Sequence, residues 1–188
     1  WIFRRRGALA IAVVTAVMIL AAPQIVSGTQ SLDGFKAVTE RLPDSAKHRM
    51  KMWAFTVEKI DEKPLWGWGM DASRSIPKED RRLGPEIEIL PLHPHNAFLQ
   101  VRLELGIPGA ILFAALLGVF FAKAVGGNED RFAAGVMTGS ACAFLTVASV
   151  SYGIWQNWWF AFAWVLAALT VLALSPPTLN EEKQENRV

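Results

Sequence analysis

Three histidines occur in the 188-residue sequence, and two of them stand in the run Pro91-Leu92-His93-Pro94-His95-Asn96. Imidazole titrates near neutrality, so His95 can take a proton from an attacking hydroxyl. It lies at the mouth of a long apolar segment, a place that suits an interfacial anchor equally well. His93 and His95 alternate along the chain, and alternate residues of an extended segment point the same way. The pair therefore also fits half of a metal site, but spacing fixes no third ligand among Asp71, Glu86 and Glu88, and no metal is expected. Arg49 precedes Trp53 by one helical turn. Its planar fork suits a phosphate or diphosphate, while the neighbouring Lys47 and Lys51 fit an ordinary solvated face. Arg102 and Glu104 fall inside an apolar segment, where ionisable groups either face a cavity or snorkel to the interface. His95 and Arg49 are the candidate catalytic residues. Asn96, Trp53, Arg102 and His93 are the candidate substrate-binding residues.

The elements that must position these side chains are membrane-spanning helices. The hydrophobic fraction is 52%, and the apolar residues are gathered into blocks. Four blocks are long enough to span a bilayer: residues 7–26, 97–125, 132–152 and 155–174. The first follows Arg4, Arg5 and Arg6, an arrangement like a signal peptide. Its length of about 20 residues reads instead as an internal span, and a start at Trp1 is expected of a partial chain. The third block is rich in Ala, Gly, Ser and Thr, which let membrane helices approach closely. The fourth opens with Trp155, Trp158 and Trp159, as expected of an interfacial aromatic belt. Residues 151–154 between them predict a tight antiparallel hairpin. Cys142 is the single cysteine, so no intramolecular disulfide can form, and it reads as a packing residue. A net charge of +2 gives no reason to expect a nucleic-acid partner.

Charge near the span ends sets the orientation. Arg4–Arg6, Lys123, Arg131, Lys183 and Arg187 all fall on one side, which the positive-inside rule makes cytoplasmic. Residues 27–96 then form a large periplasmic loop, too long to be only a connection. Within it Ala46, Met50, Trp53, Val57 and Ile60 recur at helical spacing, predicting an amphipathic helix over 45–62. Asp44 or Ser45 is expected to cap it. The run Pro64-Leu65-Trp66-Gly67-Trp68-Gly69 follows, with glycines that permit tight turns. The expected layout is a spanning helix with a cytoplasmic basic start (1–26), the periplasmic loop (27–96), three spans (97–174) and a disordered cytoplasmic tail (175–188). The fold class is an all-α integral membrane protein, a polytopic helical bundle with a partly helical loop.

His95-Asn96, nine residues, Gly106, two residues, Gly109 resembles the signature of the O-antigen ligase and polymerase family. The run His93–Gln100 with Glu104-Leu105-Gly106 is similar to the same family's core. Arg49-xxx-Trp53 and Pro64-Leu65-Trp66-Gly67-Trp68-Gly69 resemble elements of its large periplasmic loop, in the same order. Trp66 stands where Phe is usual, and Ala110 where ligases often have Thr or Val. The resemblance implies a metal-independent glycosyltransferase of the GT-C type, needing no cofactor, in the bacterial inner membrane with its active face periplasmic. The donor would be an undecaprenyl-diphosphate-linked glycan, and the acceptor a lipid A core, a growing glycan or a protein. His95 would serve as base or orient the acceptor, and Arg49 would hold the diphosphate. Such enzymes have more spans than the four here, so the chain alone is expected to be inactive. A transporter segment and a non-catalytic membrane scaffold remain the alternatives.

Overall fold

We describe residues 2–82, 88–128, 130–151 and 153–175 of a computed structural model, with side chains from Arg6 onward. Glu86, Tyr152, the tail from residue 176 and the side chains of Arg4 and Arg5 lie outside the described residues. The elements are α1 (Ile2–Leu20), α2 (Ala22–Ser31), α3 (Asp33–Thr39), α4 (Asp44–Glu62), α5 (Ala72–Ser75), α6 (Ala97–Phe120), α7 (Arg131–Ala148) and α8 (Asn157–Leu174). A π-helical turn, Phe121–Val125, extends α6. Among the described residues the only extended pairing is an isolated bridge between Arg82 and Glu88. The protein is an all-α polytopic membrane protein: α6 with its π turn, α7 and α8 are each long and apolar enough to cross a bilayer.

The first apolar block is not one straight helix. Residues 7–26, expected as a single span, are split between α1 and α2, which bend by 72° at Ala21. Pro23 explains the break, because it cannot donate to the Ile19 carbonyl and its ring clashes with that group. The loop helix α4 forms where its periodicity placed it. Its N-cap is Pro43, whose carbonyl accepts from Ala46 and Lys47, and Asp44 lies in the first turn. The capping expected from Asp44 or Ser45 is therefore absent; Asp44 instead sets its charge against the positive end of the helix dipole.

Helix α6 is the hub. Helix α1 packs along it, α4 crosses its start, and α2 touches both. Every residue from Ala97 to Glu104 is buried, whereas Leu112 (71% exposed) and Leu116 further along point outward. The start of α6 is thus embedded in protein and its end offers an apolar face to lipid. Helix α8 does the same with Trp164 and Leu172. Only part of the aromatic belt expected on α8 materialises. Trp158 is exposed, but Trp159 is buried and stacked on Phe144 at 4.7 Å, and Trp155 turns in toward α6.

The loop and α6 are joined through main-chain groups. Gly106 has φ +63 and ψ −157, which breaks α6 in the middle. Pro108 has no N–H, so the Glu104 carbonyl lacks its helical donor. The Ile107 N–H turns to the Pro64 carbonyl at 3.1 Å, which leaves the Leu103 carbonyl open as well. The loop fills both places: Trp68 N–H donates to Leu103 at 2.8 Å and Gly69 N–H to Glu104 at 3.0 Å. This approach leaves no room for side chains. A Cβ on Gly106 would lie 2.1 Å from the Leu65 carbonyl oxygen, and one on Gly67 would lie 2.6 Å from the Glu104 carbonyl. Gly109 is hemmed by Leu105 Cβ in the same way, at 2.1 Å.

Gly106→Ala should therefore cost about 3 kcal/mol or more, through strain at positive φ and the clash. Gly118→Ala, with no atom within 4 Å of the added Cβ, should stay within about 0.5 kcal/mol. Thermal unfolding of the two purified variants in detergent separates these outcomes.

Candidate functional site

Helix α4 delivers Arg49 and Trp53 one turn apart to the mouth of α6. Trp53 Nε1 donates to the Pro94 carbonyl at 2.7 Å and holds the His93–His95 segment against α4. Asn96 then starts α6: its Oδ1 accepts from the N–H groups of Phe98 and Leu99, both at 3.0 Å. Between these two fixed points His95 adopts the left-handed conformation, φ +54. A non-glycine residue held there is strained, and such strain collects at functional sites.

Arg49 and His95 meet at one turn. His95 Nδ1 lies 2.8 Å from the Ser151 carbonyl, and Arg49 Nη1 donates to the Val150 carbonyl at 3.0 Å. A carbonyl only accepts, so His95 Nδ1 carries the proton and the lone pair of the neutral ring sits on Nε2. The exposed Arg49 guanidinium has five N–H donors, and the bond to Val150 uses one. Burial lowers the pKa of His95 below the ordinary 6.5; the Arg49 and His48 charges push the same way, against the Ser151 carbonyl. At neutral pH the ring is a base.

His93 packs edge-on against His95, with ring centroids 4.4 Å apart. Its Nε2 lies 3.2 Å from Gln156 Nε2, and its Nδ1 is buried without a hydrogen-bond partner. Gly153 leaves space for the ring, since a Cβ there would come within 2.8 Å of it. Burial, aided by the His95 charge, pushes the His93 pKa down to about 4, so His93 stays neutral.

Three residues outside the candidate set, Gln100, Glu104 and Trp155, belong to this region. Gln100 Nε2 donates to Glu104 Oε1 at 3.1 Å, and Gln100 Oε1 accepts from Ile154 N–H at 2.9 Å. Trp155 Nε1 donates to Glu104 Oε2. Gln100 and Glu104, one and two turns after the Asn96 cap, thus form a buried polar stripe tying α6 to the α7–α8 hairpin. Their spacing of four residues from Asn96 along the start of α6 was the available signal. Arg102 is not brought to Arg49 and His95. It is buried against α4, with Asp61 as its charged neighbour and its Nε without a hydrogen-bond partner, so it does not snorkel.

Two cavities flank the histidines. An apolar one of about 350 Å³ is walled by α2, α4 and the start of α6, and reaches Trp53, Asn96 and Val150. A second of about 380 Å³, where Asp71, Arg74, Glu104 and Gln156 join apolar surface, lies on the His93 side.

The family profile described as O-antigen ligase matches residues 1–114, which include Arg49, His95 and the broken half of α6. The chain belongs to the O-antigen ligase family. A protein of Rickettsia conorii named "Putative polysaccharide ligase" is 37% identical over 133 residues, covering 68% of this chain and 32% of that protein. A Rickettsia typhi protein of the same name is 35% identical over 133 residues, covering 68% and 33%. The chain spans about a third of the length of these curated relatives. No solved structure matches it significantly. Within this O-antigen ligase family chain, no three His, Cys, Asp or Glu among the described residues are grouped to hold a metal ion.

The buried His93 makes stability depend on pH. Its folded pKa lies below the unfolded value of 6.5, so between pH 6.5 and about 4 the unfolded chain binds the extra proton. Stability should fall as pH drops through that window, by on the order of 2 kcal/mol. His93→Asn should remove this slope from the pH dependence of the thermal midpoint; an unchanged slope would assign the dependence to other groups.

Proposed function

We propose that the protein transfers a glycan from undecaprenyl diphosphate to an acceptor hydroxyl on the periplasmic face of the bacterial inner membrane, without a metal ion. The observation that carries the reading is the convergence of Arg49 and His95 on the consecutive carbonyls of Val150 and Ser151. The acceptor oxygen attacks the anomeric carbon and the bond from that carbon to the diphosphate oxygen breaks. The hydroxyl proton passes to His95 Nε2, and undecaprenyl diphosphate leaves with the bonding pair. Arg49 offsets the charge that grows on the leaving group, and the depressed pKa of His95 keeps it unprotonated for its part. The apolar cavity beside Trp53 and Val150 suits the first isoprene units of the donor. Because the chain spans a third of its relatives' length, the activity is assigned to the whole parent protein, and the acceptor is a lipid A core, a growing glycan or a protein.

In a strain lacking the gene, the intact parent protein carrying His95→Ala or Arg49→Ala should give no long surface polysaccharide on a gel, at wild-type membrane abundance. Lipid-linked glycan left over would mark a ligase, and core capped with a single repeat a polymerase. Two variants that behave as wild type would end the catalytic assignment.

The transfer rate should be level near neutrality and fall as pH drops through a value below 6.5, where His95 gains its proton. His48→Gln removes a charge that depresses that pKa, so its acidic limb should move to higher pH. A limb unmoved by His48→Gln and placed at or above 6.5 would argue against His95 as the base.

A further inference from the structure

Arg49 and His95 both rest on the turn between α7 and α8, so whatever fixes that turn fixes both side chains. The turn lies beyond residues 1–114, which match the family profile. Two arms tie it to the buried face of α6. Along one, Gln100 Oε1 accepts from the Ile154 N–H at 2.9 Å. Along the other, the Trp155 indole Nε1 donates to Glu104 Oε2. The arms are joined, because Gln100 Nε2 donates to Glu104 Oε1 at 3.1 Å. Gln100 and Glu104 are 4% and 2% exposed, so water cannot replace these partners. A buried carboxylate stripped of its donors is costly, which makes the Glu104–Trp155 contact resist rearrangement.

We propose that Trp155 is a positioning residue which, anchored on Glu104, holds the α7–α8 turn in the one place where it orders both candidate catalytic side chains. The Ser151 carbonyl then keeps His95 in a single tautomer, and the Val150 carbonyl keeps the Arg49 guanidinium beside it. The catalytic meaning of that order rests on the transfer reading above. A neutral imidazole has two tautomers, and only the one with its proton on Nδ1 leaves the lone pair on Nε2. The Ser151 carbonyl, 2.8 Å from Nδ1, selects it. The same turn steadies the second histidine: Gln156 Nε2 lies 3.2 Å from His93 Nε2, and Gly153 leaves room for its ring. Trp155 therefore acts through the main chain of its own turn. A turn displaced by about 1 Å loses the selection and misplaces the guanidinium, and errors of that size cost up to about a hundredfold in rate.

Nitrogen-15 NMR of the histidine-labelled intact parent protein reads the tautomer without turnover, with the His95 signals assigned by their loss in His95→Gln. In wild type Nδ1 should carry the proton and Nε2 none. Trp155→Phe keeps a ring and loses the donor. It should give a mixture of both tautomers and a transfer rate lower by about tenfold or more, at a wild-type thermal midpoint. Gln100→Leu frees the Ile154 N–H and should act in the same direction, which covers the case that one of the two does not fold. Glu104→Gln, whose amide oxygen can still accept from Trp155, should stay closer to wild type in both readouts. Trp164→Phe, on the outward face of α8, should change neither. A single wild-type tautomer in the folded variants, whatever their rate, or mixed tautomers already in wild type, would overturn the proposal. Mixed tautomers with undiminished transfer would leave the positioning standing and refute the part given to His95 in the transfer reading.

Discussion

A helix entering a bilayer cannot leave main-chain carbonyls open, and α6 leaves two, at Leu103 and Glu104. The loop closes both through the N–H groups of Trp68 and Gly69, and takes the Ile107 N–H onto the Pro64 carbonyl in return. This exchange fixes the loop relative to the membrane helix at the one level where a candidate site is needed. It works only because Gly67 and Gly106 have no side chains to separate the two backbones. Glycines that look like flexibility in the sequence are close-contact points in the fold.

From that clamp the chain runs back along α4 and forward along α6, and both lead to the same turn. Helix α4 carries Arg49 and Trp53 toward the hairpin, while Asn96 starts α6 beside them. The hairpin meets Arg49 and His95 through the carbonyls of Val150 and Ser151, and its Trp155 and Ile154 are held by Glu104 and Gln100. Removing the α6 polar stripe would thus disturb the site from a distance, by freeing the turn on which both candidate catalytic residues rest.

Much of this was legible in the sequence. The apolar blocks marked α6, α7 and α8, because twenty-residue apolar runs have few other uses, and α4 followed its helical periodicity. The break at Ala21 was harder to see, since the apolar character runs through Pro23 without interruption. The meeting of Arg49 with His95 could not be read at all: its common partner is 101 residues beyond Arg49 and acts through main-chain carbonyls, which residue identity does not encode. Trp155 illustrates a different limit. A tryptophan at a helix start suits lipid headgroups and a buried carboxylate equally, and only the fold decides for Glu104. Asn96, a candidate for substrate, also caps α6, a role that its place before an apolar run allows. Family membership adds the context in which these positions make sense together, over residues 1–114.

The central claim is that Arg49 and His95 act on one lipid-linked donor at the Val150–Ser151 turn. A cryo-electron microscopy structure of the intact parent protein with undecaprenyl diphosphate bound tests it most directly. The account predicts diphosphate oxygens within about 3 Å of the Arg49 guanidinium, the lipid entering the apolar cavity beside Trp53, and His95 Nε2 facing the phosphate that carried the glycan. A diphosphate seated instead on Lys47 and Lys51 or at Arg102, with His95 turned away from it, would contradict the account.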